Sequence, residues 1–140
     1  IQRNLRLFDS ACCVVLDINN FKKVNDVLGH HAGDAVLVYA ARLLKEIFCG
    51  EAEEVFRIGG DEFFILSLNC TESEIQEKVG LLEQKPLGDG EIIGVPVTFA
   101  AGYAFAEISE SGEDTLEKAF IRADRMMYQH KQQVKGCTTL

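Results

Sequence analysis

Residues 11–16 read Ala-Cys-Cys-Val-Val-Leu, six apolar side chains in unbroken succession. A half-exposed strand alternates apolar and polar residues. A short continuous run with two β-branched valines fits a strand buried on both faces, at the centre of a sheet. The run ends at Asp17, so a carboxylate is expected where the central strand reaches the edge of the core. Everything after it must supply the neighbouring strands and the covering helices. With 140 residues there is enough chain for one domain with a real core, and 1–140 is read as a single domain.

Phe21, Val24 and Leu28 follow at helical spacing, and Gly29 stops that short helix. Val36, Leu37, Ala40, Leu43, Leu44 and Ile47 predict an amphipathic helix from Asp34 to Phe48, with His30 and His31 in the loop before it. Residues 55–58 and 63–68 read as strands joined at Gly59-Gly60, a pair suited to the positive φ angles of tight hairpins. Thr71-Glu-Ser-Glu74 is a capping box, and the helix it opens carries Ile75, Val79 and Leu82. Residues 92–106 are β-branched and aromatic but broken by Gly94, Pro96 and Gly102, which predicts an edge strand or a hairpin. Asp114-Thr-Leu-Glu117 is a second capping box. The last helix then turns Leu116, Phe120, Ala123, Met127 and His130 inward.

The order β-α-α-β-β-α-β-α is the split βαβ pattern of an α+β, ferredoxin-like fold, with an extra helix in the first crossover. There the first and third strands lie antiparallel at the centre of the sheet. Asp17 and Asp61, 44 positions apart in sequence, are thereby brought together.

Converging carboxylates at a sheet edge suit a hard divalent cation, Mg²⁺ foremost when phosphates are present. Asp17, Asp61 and Glu62 would supply charge, and a main-chain carbonyl near Ile18 could complete the set. Two such ions can hold a triphosphate and activate an attacking hydroxyl. Asn19-Asn20-Phe21-Lys22-Lys23 runs directly into a helix, where free N–H groups and a lysine favour phosphate. Asn25 and Asp34 could pair to read a base edge, guanine offering adjacent N–H donors to an aspartate. Each feature alone has a plainer reading. Gly-Gly-Asp-Glu is a turn with solvated charges, Asp17 and Asp34 are helix caps, and Lys22, Lys23 and Asn25 are surface residues. Their joint occurrence at positions the fold brings together is what favours a site.

The net charge of −8 does not suit a nucleic-acid polymer or direct contact with an anionic membrane. An anionic ligand then needs local help from a metal, a lysine or backbone amides. Five cysteines without C-x-x-C spacing, two of them inside the apolar run, point to buried thiols and a reducing, cytoplasmic setting. No apolar stretch approaches a membrane span. The chain opens Ile-Gln-Arg, the expectation being a piece of a longer, multidomain protein whose N-terminal segment is truncated and whose parent could be membrane-anchored.

Gly59-Gly60-Asp61-Glu62-Phe63 resembles the signature of the GGDEF family, the diguanylate cyclase domains. Asp17-Ile-Asn-Asn-Phe-Lys-Lys-Val-Asn-Asp26 is similar to that family's D-x-D-x-F-K-x-x-N-D, and Gly29-His30 with Gly33-Asp34 to its G-H-x-x-G-D. Ala123-Asp124 through Tyr128 to Lys131 resembles its A-D-x-A-L-Y-x-A-K helix, and Val97-Thr98 with Gly102 its late strand. These ordered motifs span residues 14–135, and an unrelated ferredoxin-like module would have to match them all by chance.

The resemblance implies the nucleotidyl-cyclase palm and the condensation of two GTP into cyclic di-GMP with loss of two pyrophosphates. It implies two Mg²⁺ per site, with Mn²⁺ as the other candidate, bound by Asp17, the carbonyl of Ile18 and Asp61. Asp61 would also be the base for the 3′-hydroxyl, with Glu62 in support. Asn25 and Asp34 would read guanine. Phe21, Gly59 and Gly60 would lie along the nucleotide, and Lys22, Lys131 and Lys135 would hold its phosphates. The implied partners are GTP, a second GGDEF domain in a homodimer and a regulatory sensor domain in the parent chain.

Departures from the family pattern carry their own expectations. Asn19 stands where the family has a second aspartate, which leaves the cluster one carboxylate poorer and is a reason for reduced activity. Val134-Lys135-Gly136 replaces the usual G-R-N, keeping the charge but losing the bidentate fork. Gly50–Glu53 lacks the R-x-x-D of product inhibition, so no inhibitory site of the usual kind is expected. The N-terminal D-x-L-T-G-L-x-N-R is not recognisable before Ser10. The alternative function is a degenerate domain that binds GTP or a protein and regulates without catalysis.

Overall fold

The structure, a computed structural model, describes residues 10–68, 70–88, 90–107 and 112–139, with side chains of the last helix described from Leu116 to Gln132. Strand β1 (Ser10–Ile18) leads into α1 (Phe21–Leu28) and α2 (His30–Ile47). The hairpin β2 (Glu53–Arg57) and β3 (Glu62–Leu68) follows, then α3 (Glu72–Gln84) and a single helical turn α4 (Gly90–Ile93). Strand β4 (Phe99–Glu107) and the long helix α5 (Gly112–Thr139) close the chain. The sheet order is β2-β3-β1-β4 with every neighbouring pair antiparallel. This is the expected α+β, ferredoxin-like arrangement with β1 and β3 at its centre.

The apolar run does what its composition requires. Cys12, Val14, Leu16 and Ile18 point into the main core with Val24, Leu44, Phe63, Ile65, Ile75 and Leu82. Cys13 and Val15 point the other way, against Ala119, Ala123 and Met127 of α5. Asp17 follows Cys13 and Val15 by the period of two and so belongs to the α5 face. Strand β1 continues past it to Ile18, and Asp17 is in register with Glu62 on β3 and Ala100 on β4.

Helix α5 also protects the sheet. As the edge strand, β4 would leave main-chain groups unpaired along its outer side. The Arg122 guanidinium donates to the carbonyl of Phe105 at 2.7 Å, and His130 Nδ1 accepts from the amide of Ala101 at 3.3 Å. The amide of Tyr103 faces Met126 Sδ at 3.5 Å. The approach is so close that a Cβ at Gly102 would collide with the Ala123 carbonyl oxygen and the Met127 amide. Only glycine fits there.

Several local expectations are corrected. Helix α2 begins at His30, not Asp34, because Gly29 with φ 91° ends α1 and starts α2 in one residue. His30 and His31 are therefore exposed first-turn residues rather than loop, and Asp34 lies within the helix and does not cap it. Likewise α5 begins at Gly112, which places Asp114 inside the helix. The capping box at Thr71 does form, Thr71 Oγ1 accepting from the Glu74 amide at 3.2 Å. Residues 92–106 contribute one edge strand preceded by the α4 turn, not a hairpin. Among the described residues no helix is long and apolar enough to cross a membrane.

Candidate active site

The β2–β3 turn is built differently from its expected form. Among the described residues the positive-φ glycines are Gly29 and Gly94, so neither Gly59 nor Gly60 uses the left-handed region. Arg57 shapes the turn instead. Its guanidinium donates to the carbonyls of Gly59 and Gly60, the closest at 2.8 Å to Gly60, while the Ile58 amide donates to the Glu62 carbonyl at 3.0 Å. A Cβ on Gly60 would meet nothing within 4 Å, and one on Gly59 only Glu62 in ordinary contact. The fold itself does not demand these glycines. Their bareness leaves the turn's backbone open to a close ligand.

The turn sets Asp61 against the end of β1. The amide of Ile18 donates to the Asp61 carbonyl at 3.3 Å and to Asp17 Oδ1 at 2.8 Å. Asp17 is only 6% exposed. A carboxylate so buried needs a partner, and Lys131 Nζ lies 2.5 Å from its Oδ2. Burial of the Asp61 carboxyl, then hydrogen bonding and charge from Asp17, push it up to about 7, with Lys131 opposing. Two carboxylates and an ammonium thus meet where the central strands end.

This cluster opens into a pocket of about 670 Å³ lined by Asp17, Glu62, Asp124, Arg125, Tyr128 and Lys131 among others. The lysine beside Asp17 already stands where a cation is wanted, and the two carboxylates are donors suited to a hard divalent ion. Glu62, in register with Asp17 on the neighbouring strand, lines the same pocket. Among the described residues no group of three or more His, Cys, Asp or Glu converges to hold a metal. Further oxygen donors would have to come from the main chain or from a ligand's phosphates.

Asn19 is accounted for by its surroundings. It is 3% exposed, its Nδ2 donates to Thr98 Oγ1 at 3.0 Å, and its amide donates to the Thr98 carbonyl at 2.7 Å. A carboxylate there would instead accept from the hydroxyl. The residue ties the end of β1 to the segment before β4. Asn20, left-handed at φ 66°, adds a bond from Nδ2 to the Pro96 carbonyl at 2.6 Å.

The other expected residues are spread around this centre. Lys22 and Asp34 are exposed on α1 and α2, and Asn25 is partly buried with its carboxamide against Gly33. Phe21 packs partly against the main core. The side chain of Lys135 lies outside those described. In the window Gly50–Glu53, Glu53 is turned inward, accepting from Ser67 Oγ at 2.9 Å, from Lys78 Nζ at 3.1 Å and from the Gly50 amide at 3.1 Å. Arg57, the Asp17–Lys131 pair and the α5 residues Arg125 and Tyr128 did not emerge from the sequence as parts of one site. Arg57 had a local signal, a cation two and three residues before bare carbonyls. The α5 stripe had only helical spacing.

Comparison with known proteins fits this geometry. A family model described as "Diguanylate cyclase, GGDEF domain" matches residues 1–137, a longer span than the motifs alone cover. A diguanylate cyclase of Shewanella oneidensis (DgcS) is 31% identical over 148 residues, covering all of this chain and 45% of that protein. A diguanylate cyclase of Escherichia coli (DgcN) is 35% identical over 128 residues, covering 89% of this chain and 30% of that protein. The chain thus spans between 30% and 45% of these relatives' lengths. The active GGEEF domain of a Vibrio cholerae diguanylate cyclase superposes with a TM-score of 0.74 at 25% identity, covering 94% of this chain and 83% of that one. The GGDEF domain of DgcB from Caulobacter crescentus, solved with c-di-GMP, gives 0.68 at 27% identity, covering 89% of this chain and 74% of that one.

Proposed function

The chain belongs to the GGDEF family of diguanylate cyclase domains, and on that premise we propose that it condenses two GTP into cyclic di-GMP with release of two pyrophosphates. The reading is carried by the meeting of Asp17, Asp61 and Lys131 at the end of the central strand pair. In each half of the reaction the 3′-oxygen of one GTP attacks the α-phosphorus of the other. That P–O bond forms as the bond to pyrophosphate breaks, and the 3′ proton passes to Asp61. Burial and Asp17 raise this carboxyl to about 7 in the metal-free protein, and a bound cation would keep it ionised and able to accept the proton.

Asp17, the Ile18 carbonyl and Asp61 would hold Mg²⁺, two ions per site with Mn²⁺ as the alternative, and Glu62 would add negative charge nearby. When bound, the metal would polarise the phosphate oxygens and lower the pKa of the attacking hydroxyl. Lys131, released from Asp17 by a bound cation, would turn to the phosphates with Lys22 and Lys135. Asn25 and Asp34 would read guanine, while Phe21 and the bare Gly59-Gly60 turn would flank the nucleotide.

One guanine subsite and one phosphate cradle hold one GTP. Two domains must therefore face each other about a two-fold axis to close the cyclic product. A regulatory domain of the parent chain would control that meeting. The reaction belongs in the cytoplasm, where GTP is supplied.

Asp61→Asn keeps the shape of the side chain and removes its charge and basicity. Loss of a general base alone lowers turnover by about 10²–10⁴-fold, read as cyclic di-GMP by chromatography. Undiminished synthesis by this variant would overturn the assignment.

A further inference from the structure

Gly33 sits inside α2, buried, where alanine would favour the helix more. The reason glycine stands there is visible one helix away. A Cβ built on Gly33 would fall on Asn25 Oδ1, 2.8 Å from its Cγ and 3.3 Å from its Nδ2. No backbone atom and no other side chain is among the three nearest atoms it would strike. The main chain braces the same contact. The Gly29 amide donates to the Asn25 carbonyl at 3.0 Å, and the Gly33 amide donates to the Gly29 carbonyl at 3.2 Å. The carboxamide of Asn25 is thus seated on the bare Cα of the residue that immediately precedes Asp34.

We propose that Gly33 is a positioning residue for base recognition: its missing side chain holds the Asn25 carboxamide on α2 next to Asp34 and so sets the preference for guanine. The inference rests on the reading of Asn25 and Asp34 as the guanine subsite, and adds what keeps one of them in place. A methyl group at residue 33 leaves the helices intact, because the atom it strikes ends a rotatable side chain. What it displaces is the carboxamide itself.

The test compares Gly33→Ala, Asn25→Ala and the double variant for binding of GTP and ATP by calorimetry, and for thermal stability. Gly33→Ala is expected to weaken GTP roughly tenfold, the loss of about one good hydrogen bond, and to narrow the preference for GTP over ATP. Asn25→Ala is expected to do the same, and the double variant to lose no more than either single. With the colliding group gone, Gly33→Ala in the Asn25→Ala background should raise the melting temperature. If Gly33→Ala keeps wild-type affinity and selectivity while Asn25→Ala loses them, the positioning role is wrong and the guanine subsite stands. If Asn25→Ala itself binds like wild type, the guanine subsite fails and takes the inference with it. A fall in melting temperature in the Asn25→Ala background would show that the added methyl strikes something else, which also overturns the proposal.

Discussion

At the scale of single residues, the site is held by charges that the fold alone would not choose. Asp61 is raised to about 7 by burial and by Asp17, against an ordinary value of 3.8. The folded state therefore keeps a proton that the unfolded chain gives up from about pH 4 upward. The sign follows directly: with more protons bound in the native state, stability falls as pH rises through that window and levels off above about 7. Thermal melts of the metal-free protein from pH 4 to 8 should show this slope, and Asp61→Asn should flatten it and melt higher at pH 8. An unchanged slope in the variant would remove Asp61 as its source. The proximity of Asp17 and Asp61 was legible from the run that ends at residue 17 and from the order of the strands. The answering Lys131 was legible only as a phosphate ligand. Its pairing with Asp17 depends on the tilt of a helix 114 positions away, which no local pattern encodes.

At the scale of elements, the close seat of α5 on β4 decides whether Lys131 reaches Asp17. Gly102→Ala would drive a methyl into the backbone of α5 at Ala123 and Met127, where no side chain can rotate away. Overpacking of this kind costs about 1–3 kcal/mol, measurable by urea denaturation, and should move Lys131 off Asp17. A variant as stable as wild type would contradict the contact. The existence of the longer helices was legible, since α2, α3 and α5 all carry a clear apolar period, whereas the single turn α4 fell in a stretch read as strand. Helix starts were not. The boxes at Thr71 and Asp114 look alike in sequence, yet Thr71 caps its helix and Asp114 lies two residues inside one. Gly29 misled in the same way. It reads as a stop, but at φ 91° it stops one helix and starts the next, carrying Asp34 from a cap into the helix. The turn at Gly59-Gly60 was found for a reason the structure does not use, because Arg57 gathers its carbonyls without a left-handed residue.

At the scale of the whole molecule, the sheet order followed from two facts of the sequence, a strand buried on both faces and the split βαβ succession. A central β1 leaves β3 and β4 as its neighbours and β2 and β4 as edges, which is the order observed. That order puts the carboxylates at one end of the sheet, where the proposed function has a place for one nucleotide. The central claim is catalysis by two such domains. It is tested most directly by incubating a form of the chain dimerised through a fused leucine zipper with GTP and Mg²⁺, then quantifying products by chromatography. Cyclic di-GMP and pyrophosphate should appear in a ratio of one to two, with far less from the undimerised chain. GTP that is bound by the dimer and recovered unchanged would contradict the account.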